Sequence, residues 1–408
     1  MSDSVPDGWK SVKLGDVAEE ISDRVDNPSK SGYDRFVGLE HLDSGELTVR
    51  RWGSTVDLLS AMKLFKSGDI LIGRRNAYLK RASKAEFDGV CSGDAYVVRE
   101  KQGAIVEGLL PIILNSDSFW DYTIAHASGT MSKRAKWRDL ADYLFMLPLP
   151  EEQQHRIAIT LWAVEDCVVK GERLLAAAER AKQVLMRELF SEGIGHTEFQ
   201  QVKGFSKVPE KWDVLQLREI INEPIRNGAF IQQNESEISV PFLNVVDVYK
   251  NPVVKISDLQ KINCTQPDFD NYQLRENDLL YVRSSLRRQG IAQCCMINSL
   301  PERTIFDCHL MRVRLNAEKC NSKYLLYYSI SDNGRKQLIN ISKTTTMSTM
   351  DQKDLGSFSI PIPPLPEQRQ IAAILTSCDE TIASARANIA ATRALKMKMI
   401  NEMLNPGN

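Results

Sequence analysis

Clusters of positive charge are the feature of this sequence that most clearly suits a binding chemistry. Two such clusters are RRNAYLKRASK at residues 74–84 and SKRAKWR at residues 132–138, and the first holds five cations and no acid. Lysine and arginine bind phosphate oxygens, and arginine, asparagine and serine also hydrogen-bond base edges. The two runs therefore favour a nucleic acid as the ligand.

Cations recur at corresponding places later in the chain, with RSSLRRQ at residues 283–289 and SKTTT at residues 342–346. Any single run could be a solvated surface loop. Recurrence at the same places of a duplicated sequence instead favours a binding surface. The candidate nucleic-acid-binding residues are Arg74, Arg75, Lys80, Arg81, Lys133, Arg134, Arg283, Arg287, Arg288 and Lys343.

Catalytic and metal-binding patterns are missing from the sequence. It contains no glycine-rich phosphate loop, no HExxH, no GxSxG and no Asn-Pro-Pro-aromatic motif. None of the five histidines has a carboxylate or thiol partner that suggests a catalytic triad, and the eight cysteines show no CxxC spacing. The adjacent Cys294-Cys295 and Cys308-His309 have no further ligands at metal-binding spacing. We therefore expect neither catalysis nor a metal, and we expect the cysteines to be structural thiols.

The composition is that of a globular protein of two to four domains. The 408 residues are 43% hydrophobic and 26% charged, and the net charge of −1 argues against general adhesion to nucleic acid without excluding local basic patches. The first residues lack the charge and apolar pattern of a signal peptide, and no apolar run has the length of a membrane span. These features predict a cytoplasmic protein with no membrane partner.

Two long helices are predicted from an apolar stripe that occurs twice. The stripe repeats at about 3.5 residues per turn, as two helices need in order to wrap around each other. Prolines precede each copy, at 148–150 and 361–366, and stop signals close them at Gly193 and at 405–407. The predicted helix-pairing residues are Ile157, Leu161, Val164, Val168, Leu175 and Leu185 in the first copy, and Ile371, Leu375, Ile382, Ile389 and Met399 in the second.

The repeat extends into the sequence that precedes each helix. Both halves open with Pro-x-x-Trp, at 6–9 and 209–212, and the strand pattern GDILIGR at 68–74 returns as NDLLYVR at 277–283. Thr-Met-Ser also occurs twice, at 130–132 and 346–348. We predict four segments: a globular half at 1–147, a helix at 148–193, a second globular half at 194–360 and a second helix at 361–408.

Each globular half is predicted to mix strands with helices, which makes the fold class α+β. Because a folded domain between two helices lets the chain turn back, we expect the long helices to form an antiparallel coiled coil with an internal pseudo-two-fold repeat. The predicted strands lie at 36–39, 70–72, 95–99, 241–246, 279–282 and 310–314, and the predicted shorter helices at 116–127 and 322–341.

In this order and in duplicate, these motifs are similar to those of the specificity subunit of Type I restriction-modification enzymes. The resemblance spans nearly the whole chain and rests on the Pro-x-x-Trp openings, the GDILIGR strand, and PPLPEQRQI at 363–371 with its echo PLPEEQQHRI at 148–157. The first copy lacks the double proline, and Gly129 is replaced by threonine in the second copy. We expect altered local turns from these departures.

The resemblance implies a non-catalytic DNA-recognition subunit. Each half would be a target recognition domain for one part of a split sequence in double-stranded DNA, and the paired helices would set the gap. Two modification subunits, carrying S-adenosylmethionine and the adenine-methylating site, would dock where domain meets helix, and restriction subunits would join them. The cationic residues above would then contact DNA.

Two other functions compete with this interpretation. A coiled-coil scaffold could present two recognition modules to protein or RNA, and a preference for double-stranded DNA with a discontinuous motif would exclude it. An enzyme with an unrecognised motif would show activity as an isolated chain.

Overall fold

The computed structural model describes residues 5–129, 133–230, 238–250, 252–344 and 347–405. The Thr130-Met131-Ser132 motif and Thr346 of its second copy lie outside the described residues. The chain divides into two compact units: unit 1 runs up to Leu174 and resumes at Ala385, and unit 2 is Leu175–Ser384. Each unit therefore contains one globular half and a part of both long helices.

Unit 1 contains two larger sheets, of strand order β2-β10-β7-β8 and β3-β6-β9-β4-β5. A separate antiparallel pair joins the opening strand β1 to the closing strand β11, with Trp9 opposite Pro148. The strands are β1 (Trp9–Lys13), β2 (Ala18–Ile21), β3 (Arg24–Val25), β4 (Arg35–Val37), β5 (Gly53–Ser54), β6 (Met62–Phe65), β7 (Ile70–Gly73), β8 (Ala82–Lys84), β9 (Gly89–Cys91), β10 (Ala95–Glu100) and β11 (Leu144–Pro148). The short helices are α1 (Leu14–Val17), α2 (Leu109–Ile113), α3 (Asp117–His126) and α4 (Trp137–Ala141).

The two long helices are α5 (Glu151–Ser191) and α12 (Leu365–Met403), of 41 and 39 residues. In unit 1, Glu165 of α5 is paired with Lys396, and the later Glu172 is paired with the earlier Arg393. In unit 2, Lys182 of α5 is paired with Asp379 of α12. Partner numbers fall in α12 as they rise in α5, so the helices run antiparallel.

Unit 2 repeats the plan of unit 1 with additional strands. Its opening and closing strands again pair, with Asp213 opposite Ile362, and its main sheet has the order β15-β23-β19-β21-β17. The strands are β12 (Phe199–Gln200), β13 (Val208–Pro209), β14 (Asp213–Gln216), β15 (Arg226–Asn227), β16 (Ile238–Leu243), β17 (Val253–Val254), β18 (Lys261–Cys264), β19 (Leu279–Val282), β20 (Ser284–Ser285), β21 (Cys294–Ile297), β22 (Ile305–Phe306), β23 (Leu310–Val313), β24 (Lys343–Thr344), β25 (Ser348–Thr349) and β26 (Ser359–Ile362). The short helices are α6 (Leu217–Ile220), α7 (Val245–Lys250), α8 (Gln266–Tyr272), α9 (Ser322–Ile330), α10 (Asp332–Ile341) and α11 (Gln352–Gly356).

These elements confirm the α+β class with two β-rich halves and two long helices packed together. Within the described residues, no helix is both long and apolar enough to cross a membrane.

The side chains of the predicted helix-pairing stripe are buried or half-buried. The fully buried members are Ile157, Leu161, Val168, Ile371, Leu375 and Ile382. The half-buried members are Val164, Leu175, Leu185, Ile389 and Met399. Gly171 allows the helices to approach closely in unit 1, since an added Cβ would lie 3.0 Å from Cγ1 of Ile389.

A buried glutamine anchors the first turn of each long helix. Gln154 donates to the carbonyl of Pro148 at 2.7 Å, and Gln368 donates to the carbonyls of Pro363 and Lys319 at 2.8 and 3.0 Å. Gln368 also accepts from the backbone N–H of Asn321 at 2.8 Å. These bonds satisfy backbone groups at the junction of sheet and helix, which explains the amide in both proline-rich entries.

The repeated strand motif begins with a turn and a buried carboxylate. Gly68 and Asn277 both have positive φ, at 97° and 68°, a region that glycine and asparagine tolerate better than other residues. The next residue is a buried aspartate in each case: Asp69 accepts two hydrogen bonds from Arg99, and Asp278 accepts two from Arg314. The motif therefore builds the same ion pair in both units.

Three predicted elements differ from the structure. The predicted helix 322–341 is two helices, because Ser331 has an extended backbone and caps α10 by accepting from the N–H of Gly334. Gly334 packs tightly on Tyr328, so that an added Cβ would overlap the carbonyl oxygen of Tyr328. The predicted strand 241–246 ends at Leu243, and helix α7 starts two residues later. The predicted strand 36–39 ends at Val37 and passes into a 3-10 helix at Leu39–His41.

A balanced ionic cluster joins the globular half of unit 1 to both long helices. The side chains of Lys396 and Glu165 pair at 2% and 3% exposure, and Lys396 also donates to the carbonyl of Gly45 at 2.7 Å. Arg50 reaches Glu46 and Glu172, both at 2.6 Å, as well as Glu165. Arg393 bonds Glu46 at 2.7 Å and also pairs with Glu172. Burial raises the pKa of Glu46, and the charge of Arg50 partly offsets this effect.

We predict that Lys396→Met destabilises the protein strongly, because it leaves the carboxylate of Glu165 buried with fewer partners. The expected loss is about 3–5 kcal/mol in the free energy of unfolding, measured by denaturant titration. The control is Lys398→Met, whose Nζ forms a solvent-exposed pair with Glu402 at 3.6 Å and should cost less than about 1 kcal/mol. Equal effects of the two substitutions would contradict this account.

Candidate nucleic-acid interface

The two basic runs of unit 1 become neighbours in the structure. Strand β7 ends just before Arg74, whose carbonyl accepts from the N–H of Ala135 at 3.0 Å. Arg75 forms a β-bridge with Arg134, which in turn exchanges two backbone hydrogen bonds with Ser128. Residues far apart in sequence thus form a narrow ribbon at the end of β7.

A single carboxylate gathers three of the predicted arginines. Asp94 lies 3.6 Å from Arg74, 3.2 Å from Arg75 and 3.2 Å from Arg134, measured from carboxylate oxygen to guanidinium nitrogen. It sits directly before β10, where its carbonyl accepts from the N–H of Arg74 at 3.1 Å. Three positive charges around one negative charge leave a local excess of two, which suits a phosphate-bearing ligand.

The remaining predicted cations of unit 1 lie in different environments. Lys80 has positive φ, at 45°, and its Nζ bonds Asp117 at 2.6 Å, an interaction that lowers the pKa of Asp117. Arg81 is half-buried and Lys133 is exposed; neither makes an ion pair with the described residues. Of the predicted cations, the structure therefore brings Arg74, Arg75 and Arg134 to one carboxylate, and Lys80 to another.

Unit 2 forms a comparable ribbon at the end of β19. The short strands β20, β25 and β24 pair side by side, with Ser284 opposite Thr349 and Lys343 also opposite Thr349. Arg283 precedes the ribbon, and its N–H donates to the carbonyl of His309 at 2.9 Å. The run at 283–289 and residues 343–344 are thus joined through the same kind of ladder as in unit 1.

The cations of unit 2 differ in their availability. Arg287 and Arg288 are exposed, and neither forms an ion pair with any residue that the structure describes. Lys343 lies 2.9 Å from both Asp351 and Asp354 at the start of α11. The pKa of Asp351 falls to about 2, first because it accepts from the backbone of Asp354 and then because of Lys343. Lys343 is therefore paired with two carboxylates at the start of α11, whereas the two arginines face solvent.

Three consecutive residues beside this ribbon have side chains of metal-ligand type. The ligand atoms of Asp307, Cys308 and His309 lie within 4.8 Å of one another. They already have other roles: Asp307 accepts from the N–H of His309 at 2.7 Å, and Nδ1 of His309 lies 2.8 Å from Oγ of Ser284. Burial raises the pKa of the Cys308 thiol, which disfavours the thiolate that a metal would need. The arrangement supports the ribbon and gives no reason to assign a metal.

The sequence did not predict the carboxylate that pairs with the arginines of unit 1 or the arginine that fixes the basic loop of unit 2. Asp94 directly precedes a predicted strand, but nothing local shows that Arg134 folds beside it. The guanidinium of Arg335 donates to the carbonyls of Gln289, Ile291 and Ala292, and so fixes the loop after Arg288. Its only sequence signal is a cation on the apolar-periodic segment 322–341.

The sequence of this chain is similar to those of one family of proteins. Residues 209–391 match the model of the Type I restriction modification DNA specificity domain. The chain is 21% identical to the Type I restriction enzyme MjaVIII specificity subunit of Methanocaldococcus jannaschii, over 98% of this chain and 93% of that protein. It is 25% identical to the EcoKI specificity subunit of Escherichia coli over 40% of this chain and 38% of that protein.

Solved structures share the fold. The chain aligns with a chain from a structure on complex assembly and conformational transition of the type I R-M system, at a TM-score of 0.61 and 21% identity, covering 99% and 100% of the two chains. It also aligns with the HsdS subunit of Thermoanaerobacter tengcongensis at a TM-score of 0.50 and 21% identity, covering 100% and 99%. An S subunit from M. genitalium aligns at a TM-score of 0.56 and 10% identity, covering 100% and 98%.

We predict that Asp94→Asn strengthens binding to a mixed-sequence DNA duplex. Without the carboxylate, Arg74, Arg75 and Arg134 no longer have to exchange a protein anion for phosphate. The expected gain is about two- to fivefold at low salt, with a salt dependence steeper by about one counterion. Fluorescence anisotropy titrations at several salt concentrations measure both quantities.

The matched control is Asp142→Asn, which removes the same charge from an exposed pair with Lys13. Identical binding by the two variants would show that Asp94 does not restrain DNA-binding cations.

Proposed function

We infer that the chain belongs to the specificity subunits of Type I restriction-modification systems, and we propose that it reads a bipartite sequence in double-stranded DNA, one part with each globular half. As a specificity subunit it is a non-catalytic component of a Type I restriction-modification enzyme and assembles in a restriction-modification complex. The DNA target and the individual subunit contacts belong to the proposal.

The observation that carries the proposal is the duplicated ribbon. In each unit, an arginine directly follows the strand that carries the repeated motif, and the chain then enters a narrow ladder beside further cations. The ladders have the same connectivity but different side chains: Arg75 and Arg134 stand in unit 1 where Ser284 and Thr349 stand in unit 2. Two similar frames with different edges suit two different DNA half-sites.

The long helices are proposed to set the gap between the half-sites. Each is continuous and has a length of roughly 60 Å at 1.5 Å per residue. In this proposal, antiparallel pairing would relate the two halves by an approximate two-fold axis, as in symmetric dimers that bind half-sites about one helical turn apart. Because the two halves differ in sequence, the resulting target is asymmetric.

Two modification subunits are the proposed protein partners, one at each junction of domain and helix. Duplicated junctions provide two similar docking places, and the junction in unit 1 exposes Leu144, Leu149 and Ile159, with Ile159 at 68% exposure. The modification subunits would carry S-adenosylmethionine and the adenine-methylating site, and restriction subunits would join this core. Such a complex acts on DNA in the cytoplasm.

The proposal predicts a change in the genome-wide pattern of methylated adenine. Deleting the gene should abolish methylation at one asymmetric motif made of two short blocks with a fixed gap. Sequencing that detects methyladenine measures this directly, and complementation with the intact gene should restore the motif. The control is complementation with Arg51→Ala, which removes an exposed cation paired with Asp43 outside the predicted runs.

Other outcomes of this experiment contradict the proposal. Loss of methylation at a continuous motif would refute bipartite recognition. An unchanged pattern in cells that express the modification subunits would favour a scaffold for protein or RNA.

We predict that replacing Arg287 and Arg288 together by alanine weakens DNA binding and flattens its salt dependence. Each phosphate contact contributes about 0.9 to the slope of the logarithm of the binding constant against that of salt, so the slope should fall by about 1.8. The matched control replaces Lys255 and Lys261, two exposed cations of the same unit outside the predicted runs. Equal slopes for the two double variants would remove residues 287–288 from the interface.

A further inference from the structure

One leucine beside Arg287 and Arg288 is almost completely exposed. Leu286 directly follows β20 and has 87% of its surface accessible, more than the exposed Leu59, at 75%, or Ile159, at 68%. Single exposed apolar side chains are common on protein surfaces, so exposure alone assigns no role. What distinguishes Leu286 is its position at the tip of a turn, directly before Arg287.

The turn that carries Leu286 is held rigidly at its base. Arg335 donates to the carbonyls of Gln289, Ile291 and Ala292 at 3.0, 2.8 and 2.7 Å. The hydroxyl of Tyr249 donates to the carbonyl of Gly290 at 3.0 Å. A turn constrained in this way presents Leu286 in a fixed geometry and loses little conformational entropy when a ligand binds.

The flanking charges define the chemistry of that ligand. Arg287 and Arg288 are exposed and without an acidic partner among the described residues, and the segment 283–293 contains no aspartate or glutamate. An apolar tip beside two free cations complements a polyanion with an apolar interior. Duplex DNA has this character, since phosphates line its edge and stacked bases fill its centre.

We propose that Leu286 is an apolar wedge that enters between two base pairs of the bound DNA while Arg287 and Arg288 hold the adjacent phosphates. Leucine and other apolar side chains inserted in this way unstack a base step and kink the duplex by roughly 20–90°. The step that opens most easily is pyrimidine–purine, so the wedge adds sequence preference without hydrogen bonds to bases. This inference rests on the proposed function and adds a mode of readout to it.

Unit 1 also has a large exposed side chain in the segment that follows the equivalent arginine. Tyr78 is 66% exposed in the 3-10 helix Ala77–Leu79, a few residues after Arg74. Asn76 and Lys80 frame this turn with positive φ, at 57° and 45°, and Lys80 is tied to Asp117 at 2.6 Å. The same combination of a constrained turn, an exposed ring and nearby arginines assigns Tyr78 as the counterpart of Leu286.

The test uses the complex of the full chain with its modification subunits and a duplex that contains the motif found by methylation mapping. The adenine analogue 2-aminopurine is placed in turn at positions other than the methylated adenines, because its fluorescence rises when it unstacks. The wild-type complex should show one bright step in each half-site. Leu286→Ala should remove the bright step of one half-site and lower affinity about tenfold, the order that burial of a leucine supplies.

Matched variants separate the wedge from other effects. Leu286→Phe should keep the bright step, Tyr78→Ala should remove the step of the other half-site, and Leu59→Ala should leave both unchanged. A wild-type complex that binds the duplex without unstacking, or a full signal from Leu286→Ala, refutes the wedge alone. If Leu286→Ala instead loses the modification subunits on purification, Leu286 contacts protein and the wedge is wrong. A wild-type complex that does not bind the duplex refutes the proposed function and the wedge with it.

Discussion

Antiparallel pairing of α5 with α12 is the constraint on which both units depend. Because the helices run in opposite directions, the start of each lies beside the end of the other within a single unit. Ile157 and Ile400 belong to one core of unit 1, and Phe190 and Ile371 belong to one core of unit 2. Loss of either helix would therefore expose apolar surface in both units, so the globular halves cannot be treated as independent of the helices.

The two units stabilise this pairing by different chemistry. Unit 1 uses Lys396, Arg50 and Arg393 against Glu46, Glu165 and Glu172, a balanced set in which each charge has a defined partner. Unit 2 relies mainly on apolar packing. Asp379 adds polar contacts, since it pairs with Lys182 and accepts from the hydroxyl of Tyr327 at 2.8 Å. The buried members of this set, Lys396, Glu165 and Glu46, tolerate displacement poorly because a shift would leave a buried charge unpaired. We infer that the cluster in unit 1 fixes the register and the apolar contacts in unit 2 supply much of the stability.

The sequence allowed prediction of features that depend on local period or on repetition. The stripe through Ile157 and Ile371 predicted the long helices because helical period is a local property. The break at Ser331 was not predictable in the same way, since it depends on the overlap that Gly334 avoids with the carbonyl of Tyr328. The gathering of Arg75 and Arg134 around Asp94 also depends on which segments lie side by side. The positions of the cations could be predicted from the sequence, but the residues that pair with them could not.

One corresponding position shows how a shared frame can carry two different binding surfaces. The N–H of Arg74 donates to the carbonyl of Asp94, and the N–H of Arg283 donates to the carbonyl of His309, so aspartate and histidine occupy equivalent places. In unit 1 the carboxylate draws in three arginines, whereas in unit 2 the imidazole bonds Ser284 and leaves Arg287 and Arg288 in solvent. The buried aspartate–arginine pairs of the repeated strands keep both frames alike. Differences at a few edge positions therefore change which cations meet the ligand while the fold beneath them stays the same.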